Sequence, residues 1–184
     1  MLNVLPIVEQ NKANLILLKA LEKQNDINLV RDFQQGNITV IIDGPCSELT
    51  SALQMKPSLK KQIDRILFVG GSDKYGDITP VAEKNVYSDV YGAQYMFLSE
   101  IPIVMFGLNV TRDIENRCLM PLVYLKDETI FESEQCGVFV ETKGQLTFGM
   151  TVTDLYSDKQ FEQQTVQIIK SFDKDKYQQI LQQL

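Results

Sequence analysis

Short apolar runs alternate with polar segments along this chain, and the pattern predicts an α/β protein. Ile38–Ile42 is almost entirely β-branched, and Ile66–Val69 and Pro102–Phe106 are comparably apolar, as is typical of strands buried on both faces. Helical periodicity covers Ser47–Met55 and Val90–Leu98, which lie between these strands. The repeat of strand and helix predicts a Rossmann-like, mostly parallel sheet with flanking helices and right-handed crossovers.

The N-terminal segment carries a weaker version of the helical pattern. Asn14–Lys23 places apolar residues at helical spacing among good helix formers and predicts a helix. Asn25–Gly36 is polar with a sparse apolar stripe, which fits either a second short helix or a loop. We therefore expect helical structure before the Ile38 strand.

The pattern of apolar and polar residues changes in the C-terminal third, where it predicts a helix, a hairpin, a strand and a closing helix. The hairpin has Lys143-Gly144 as its turn. Asp173 is the expected N-cap of the closing helix. The predicted elements are a helix at Leu119–Leu125, hairpin strands at Gly137–Thr142 and Gln145–Gly149 with Thr151–Asp154 as an extension, a strand at Thr165–Lys170, and a helix at Lys174–Leu184.

Composition indicates which classes of partner are excluded and which kind of compartment is expected. The 184 residues predict a single domain over 1–184, and the formal charge of −6 without a basic cluster argues against nucleic acid and anionic membrane surfaces. Apolar runs are too short to span a membrane, and no secretory signal pattern is visible at the N-terminus. Cys46, Cys118 and Cys136 are odd in number and widely spaced, which predicts a reducing intracellular compartment, either cytoplasm or organelle interior.

The absence of histidine limits the chemistry. It removes Ser-His and Cys-His nucleophile pairs, and with no Cys-x-x-Cys pair it also argues against zinc. Polar residues instead crowd Gly76–Asp89, a segment between two predicted strands. In open α/β sheets ligands bind at the carboxyl ends of the strands, so this segment is the candidate site.

Several segments, in order, resemble the inosine-uridine type of the nucleoside hydrolase family. Gly76–Asp89 resembles the family's sugar-binding segment, and the resemblance covers most of residues 38–184. The other matching segments are Ile38–Leu53, Ile66–Gly71, Ile101–Thr111, Gly137–Asp154 and Phe172–Leu184.

The resemblance implies a fold, an activity and a site. The family cleaves the N-glycosidic bond of nucleosides with a bound Ca²⁺ that activates water and holds the ribose hydroxyls. By position, Glu83 and Asn85 match ribose-binding residues, and Asp77 stands where a ribose-binding Asn is usual. Ser47 stands where a Thr gives its backbone carbonyl to the calcium ion.

Two parts of the family's calcium site have no counterpart in this sequence. The N-terminal Asp-x-Asp-x-x-x-Asp-Asp run, which also supplies the general base, does not occur, and Arg117-Cys118 stands where the family has His-Asp, so Cys118 replaces a ligand Asp. Since Ca²⁺ takes six to eight oxygens including several carboxylates, we expect no catalytic residues and no metal unless a partner chain supplies the carboxylates.

Absence of the Asp-x-Asp-x-x-x-Asp-Asp run also bears on the sheet, because in the family this run lies on the first, central strand. Without that strand, we expect either two unpaired strand edges or a sheet that closes up. We therefore expect a protein partner that completes or covers the sheet.

Each candidate residue also has a structural interpretation. Glu83 and Asn85 fit bracing of their loop as well as ribose binding, and Asp77 and Asp43 fit turns. Cys118 fits a small buried apolar side chain. The stripe of Tyr91, Tyr95 and Leu98 is typical of core rather than of a ligand platform.

Three hypotheses for function follow, in order of preference. The first is a catalytically inactive nucleoside-hydrolase-like protein that serves as a structural or interaction subunit of a larger assembly. The second is a nucleoside N-ribosyl hydrolase completed by a partner chain. The third is a ribose or nucleoside sensor that binds through Glu83 and Asn85.

Overall fold

The computed structural model describes residues 14–19, 38–155 and 165–184, and for residues 14–19 it describes the backbone path. The strands are β1 (Asn14–Lys19), β2 (Ile38–Asp43), β3 (Ile63–Val69), β4 (Ile103–Phe106), β5 (Phe131–Cys136), β6 (Val138–Val140), β7 (Thr151–Thr153) and β8 (Val166–Phe172). The α-helices are α1 (Ser47–Met55), α2 (Lys84–Ser88), α3 (Val90–Phe97), α4 (Leu108–Thr111), α5 (Met120–Lys126) and α6 (Lys174–Leu181), with 3₁₀ turns at Pro57–Gln62, Arg117–Leu119 and Glu128–Ile130.

A mostly parallel sheet with strand order β1-β2-β3-β4-β8-β5 forms the centre of the fold. In this order, β1, β2, β3, β4 and β8 pair in parallel, each with the next. β5 pairs antiparallel with β8. The predicted Rossmann-like sheet with flanking helices and a separate antiparallel pair is therefore confirmed. Among the described residues, none of the helices combines the length and apolar character that a membrane span requires.

The N-terminal prediction of a helix is wrong over the part that the structure describes. Asn14–Lys19 is a strand that pairs in parallel with β2, with Asn14 opposite Ile38 and Lys19 opposite Asp43. A short apolar run fits either element, and pairing of its backbone with β2 decides in favour of a strand. β2 is thus paired on both sides, with β1 and with β3. The predicted helix or loop at Asn25–Gly36 lies outside the described residues.

The C-terminal hairpin exists, but its second strand lies later than predicted. β6 pairs antiparallel with β7, with Val138 opposite Thr153 and Val140 opposite Thr151. The segment 145–149 forms turns within the connection instead of a strand. The closing helix is confirmed, since Oδ1 of Asp173 accepts a hydrogen bond from the Lys176 backbone N–H at 3.1 Å. Strand β5 was not predicted, because its exposed middle is polar.

Apolar side chains alternate between the two faces of the sheet and form two buried layers. Ile66 and Phe68 face one layer, and Leu67 and Val69 face the other, as the twofold periodicity of a strand requires. Helices α1 and α3 cover the first layer, and α5 and α6 cover the second. This packing brings the loops that follow β2, β3 and β4 to one edge of the sheet.

The aromatic stripe on α3 is not core. The side chain of Tyr91 is 68% exposed, and Leu98 is 36% exposed. Tyr95 packs partly buried against the first layer. The helix turns its Val90, Ala93 and Phe97 face inward instead.

Candidate functional site

Glu83 is the centre of the polar cluster at the carboxyl ends of β2 and β3. It is buried, and its extended backbone makes it the N-cap of α2. Its Oε2 accepts hydrogen bonds from the backbone N–H groups of Gly71 (3.1 Å), Asn85 (2.8 Å) and Val86 (3.1 Å). One carboxylate oxygen therefore satisfies two of the free N–H groups that begin a helix and also ties the helix to the loop after β3.

Asn85 lies in the first turn of α2 and faces the end of β3. Its Nδ2 donates to the Val69 carbonyl at 2.8 Å and lies 3.4 Å from Oδ1 of Asp43, the last residue of β2. The side chain is almost fully buried. Asn85 thus joins two neighbouring strand ends and brings the carboxylates of Asp43 and Glu83 into one cluster.

Arg117 completes this cluster from a distant part of the chain. Its Nη2 lies 3.5 Å from Oε1 of Glu83, and its Nε lies 4.0 Å from Oδ1 of Asp43. Its own side chain is 25% exposed. A guanidinium is always charged, so the cluster contains one fixed positive charge between two carboxyl groups.

Burial shifts the pKa of two groups at this site, the Glu83 carboxyl and the Cys46 thiol. Burial raises the pKa of the Glu83 carboxyl above its usual range, although the hydrogen bonds from Asn85, Gly71 and Val86 and the charge of Arg117 act in the opposite direction. Burial also raises the pKa of the Cys46 thiol, with smaller contributions from Asp89 and Glu83. Cys46 is therefore a protonated, inert side chain.

The remaining predicted site residues lie around the cluster. Asp77 is exposed, and its Oδ1 accepts from the Lys84 backbone N–H at 2.7 Å, so it braces the start of α2. Ser47 begins α1; its Oγ donates to Oδ2 of Asp89 at 2.8 Å, and its carbonyl accepts from Thr50 Oγ1 at 3.2 Å. Cys118 is a half-buried free thiol in the 3₁₀ turn next to Arg117.

Sequence reasoning missed the positive member of the cluster. Arg117 entered the prediction only as the residue that stands where the family has His, and Asp43 only as a possible turn residue. Glu83 and Arg117 are separated by 34 positions in the sequence, so no local pattern reveals their contact.

A second polar cluster lies beside the site, around the loop after β3. Lys170 near the end of β8 forms an ion pair with Asp73, whose side chain is 1% exposed. Thr151 in β7 donates from its Oγ1 to the Ser72 carbonyl and accepts from the Ser72 N–H at 2.8 Å. These contacts anchor the loop that presents Gly71 to Glu83.

Comparison of the sequence with known proteins shows the family of this chain. The sequence profile described as inosine-uridine preferring nucleoside hydrolase matches residues 5–121. The chain belongs to this family. The pyrimidine-specific ribonucleoside hydrolase RihA of Salmonella paratyphi C (strain RKS4594) is 33% identical over 65% of this chain and 52% of its own. RihA of Shewanella sp. (strain ANA-3) is 29% identical over 65% of this chain and 51% of its own.

Solved structures show the same fold. The purine-preferring ribonucleoside hydrolase from Gardnerella vaginalis superposes with a TM-score of 0.71 at 18% identity, over 87% of this chain and 64% of that one. The inosine-uridine preferring nucleoside hydrolase from Bacillus anthracis gives 0.71 at 16% identity, over 89% and 65%. The chain spans about half the length of the curated relatives it matches.

The calcium ion that the family resemblance implies does not fit the residues of this cluster. A calcium ion needs six to eight oxygens at about 2.3–2.6 Å. Here Oε2 of Glu83 already accepts three N–H groups, and Oε1 of Glu83 and Oδ1 of Asp43 both face the Arg117 guanidinium. Over the described residues, no group of three or more His, Cys, Asp or Glu side chains is placed to hold a metal ion.

Proposed function

We propose that this chain is a nucleoside hydrolase family protein without hydrolase activity of its own, which serves as a structural or interaction subunit of a larger assembly. The observation that carries the proposal is the internal pairing of the site. Glu83, Asn85, Asp43 and Arg117 contact one another and the backbone, so their polar groups brace α2 and two strand ends. A carboxylate that caps a helix and pairs with an arginine is poorly placed to activate water.

An exposed aromatic patch supports the interaction part of the proposal. We define it by the rings of Tyr87, Tyr91 and Phe148 together with Leu146, which precedes Phe148 by two residues in the same turn segment. The rings of Tyr87 and Tyr91 meet the Phe148 ring with centroids 6.0 and 6.3 Å apart. Tyr91 is 68% exposed and Leu146 is 91% exposed. Clustered apolar side chains of this kind mark contact surfaces between proteins, and aromatic residues dominate the energy of such contacts.

One experiment tests the proposal directly. The full chain is purified gently from its source, its assembly is measured by native mass analysis, and hydrolysis of uridine and inosine is assayed with and without added Ca²⁺. We expect a fixed-ratio complex and no turnover above the rate without protein. Turnover that disappears in Glu83→Gln, while the complex remains intact, would overturn the proposal.

A second candidate is a nucleoside N-ribosyl hydrolase completed by a partner chain, or a ribose sensor. It is favoured by the location of Glu83 and Asn85 side by side at the carboxyl edge of the sheet. Within the part of the chain that the structure describes, Oε1 of Glu83 has a single polar contact, with Arg117 at 3.5 Å. Recovery of a partner that carries the Asp-x-Asp-x-x-x-Asp-Asp run, together with Ca²⁺-dependent turnover, would select the hydrolase. Ribose binding without turnover would select the sensor.

A further inference from the structure

The charges of the cluster are arranged around the position of one guanidinium. Glu83 has a fully buried side chain, Asp43 is 16% exposed, and both direct an oxygen toward Arg117. A guanidinium that faces two ionised carboxyl groups offsets part of their negative charge. Arg117 is the cation that the structure places there.

Protein groups already occupy the position beside Asp43 where a metal ion would lie. Asn85 Nδ2 approaches the same Asp43 Oδ1 that faces Arg117, at 3.4 Å. Any divalent ion held by Asp43 and Glu83 would lie close to the guanidinium, in a partly buried setting where repulsion between like charges is strong. Arginine cannot lose its proton to relieve this repulsion.

We infer that the Arg117 guanidinium is the built-in cation of this site, which holds Asp43 and Glu83 together in place of a divalent metal ion. The inference rests on the proposed function in one respect, since both treat the site as independent of metal. It goes further by assigning the charge-balancing role to one residue. The site is therefore expected to be fully formed without added metal.

Three variants of the full chain test this role. Arg117→Gln removes the charge, Arg117→Lys keeps it, and Arg65→Gln removes a guanidinium that pairs with Glu128 at 2.7 Å elsewhere on the surface. Thermal unfolding of each is measured at constant ionic strength with a calcium chelator, with 10 mM Ca²⁺ and with 10 mM Mg²⁺. Calcium binding is measured in parallel by titration calorimetry.

For the wild type, Arg117→Lys and Arg65→Gln, we expect a Tm that does not respond to calcium. For Arg117→Gln, we expect a lower Tm in chelator and an increase of about 3–6 °C in Ca²⁺, as for an ion present at roughly ten times its Kd. Asp43 and Glu83, which would no longer face a guanidinium, would then bind the ion that the guanidinium had excluded. A merely structural arginine would lower the Tm without creating a calcium response.

Two results would overturn the inference. One is a saturable calcium response of the wild type, and the other is a folded Arg117→Gln variant without any such response. If Arg117→Gln does not fold in chelator, its refolding in Ca²⁺ but not in Na⁺ of equal ionic strength supports the inference, and failure in both overturns it. Nucleoside turnover that is independent of calcium would instead overturn the proposed function and leave the role of Arg117 intact.

Discussion

The side-chain amide of Asn85 donates a hydrogen bond to the backbone carbonyl of Val69 at 2.8 Å, and so joins the first turn of α2 to the end of β3. Both groups are buried, and replacement of Asn85 by Ala leaves the carbonyl without this donor. We expect Asn85→Ala to lower the free energy of unfolding by about 1–3 kcal/mol. Urea denaturation followed by circular dichroism measures the change.

A matched control separates this contact from a general effect of substitution. Gln178 is exposed on α6, and Gln178→Ala is expected to change the free energy of unfolding by less than about 0.5 kcal/mol. Equal stability of Asn85→Ala and wild type would show that the amide does not brace the strand end.

The raised pKa of Glu83 predicts the sign with which this residue makes stability depend on pH. Because burial raises its pKa in the folded state, the folded chain binds the proton more tightly than the unfolded chain does. Its contribution to stability is complete below the unfolded pKa, and it is lost as pH rises through the higher folded value. We expect the free-energy difference between wild type and Glu83→Gln to move in favour of Glu83→Gln with rising pH across that window. A difference that stays constant with pH would contradict the raised pKa.

The ion pair between Lys170 and Asp73 connects β8 to the loop after β3, across 97 residues of sequence. Lys170→Met removes the charge that compensates the buried Asp73 carboxylate. We expect a loss of about 1.5–3 kcal/mol in urea denaturation, in line with hydrogen bonds to charged groups. The control is Lys176→Met, because Lys176 pairs with Asp173 on the exposed surface of α6 and should matter little. Similar losses for the two variants would argue against a special role for the buried pair.

The aromatic patch predicts where association is sensitive to mutation. Leu146→Asp places a charge at a side chain that is 91% exposed, so the fold should tolerate it. If the patch contacts a partner, the variant should lose at least tenfold in affinity, since burial of an unpaired charge at an interface costs more than about 1.4 kcal/mol. Native mass analysis measures the complex, and Met55→Asp, at another exposed apolar position, is the control. An unchanged complex would exclude the patch as the contact surface.

Local signals in the sequence determined the central part of the fold. The β-branched run at β2 can form little else, and the helix α1 was predicted with the observed bounds, Ser47–Met55. Asp173 marked the start of α6 because a capping residue acts on the N–H groups of its own helix. The order of motifs also indicated the family, since each motif carries its own local constraints.

Tertiary structure decided the features that depend on residues far apart in the sequence. The apolar run at Asn14–Lys19 is a strand because β2 offers a partner, and β5 is a strand because β8 does. Exposure of Tyr91 depends on which face of α3 meets the sheet. The contact of Arg117 with Glu83 and Asp43 forms only when the end of β2, the start of α2 and the 3₁₀ turn at Arg117 meet at one edge of the sheet. Such contacts leave no periodic signal, because the energies that select them act between elements and not within them.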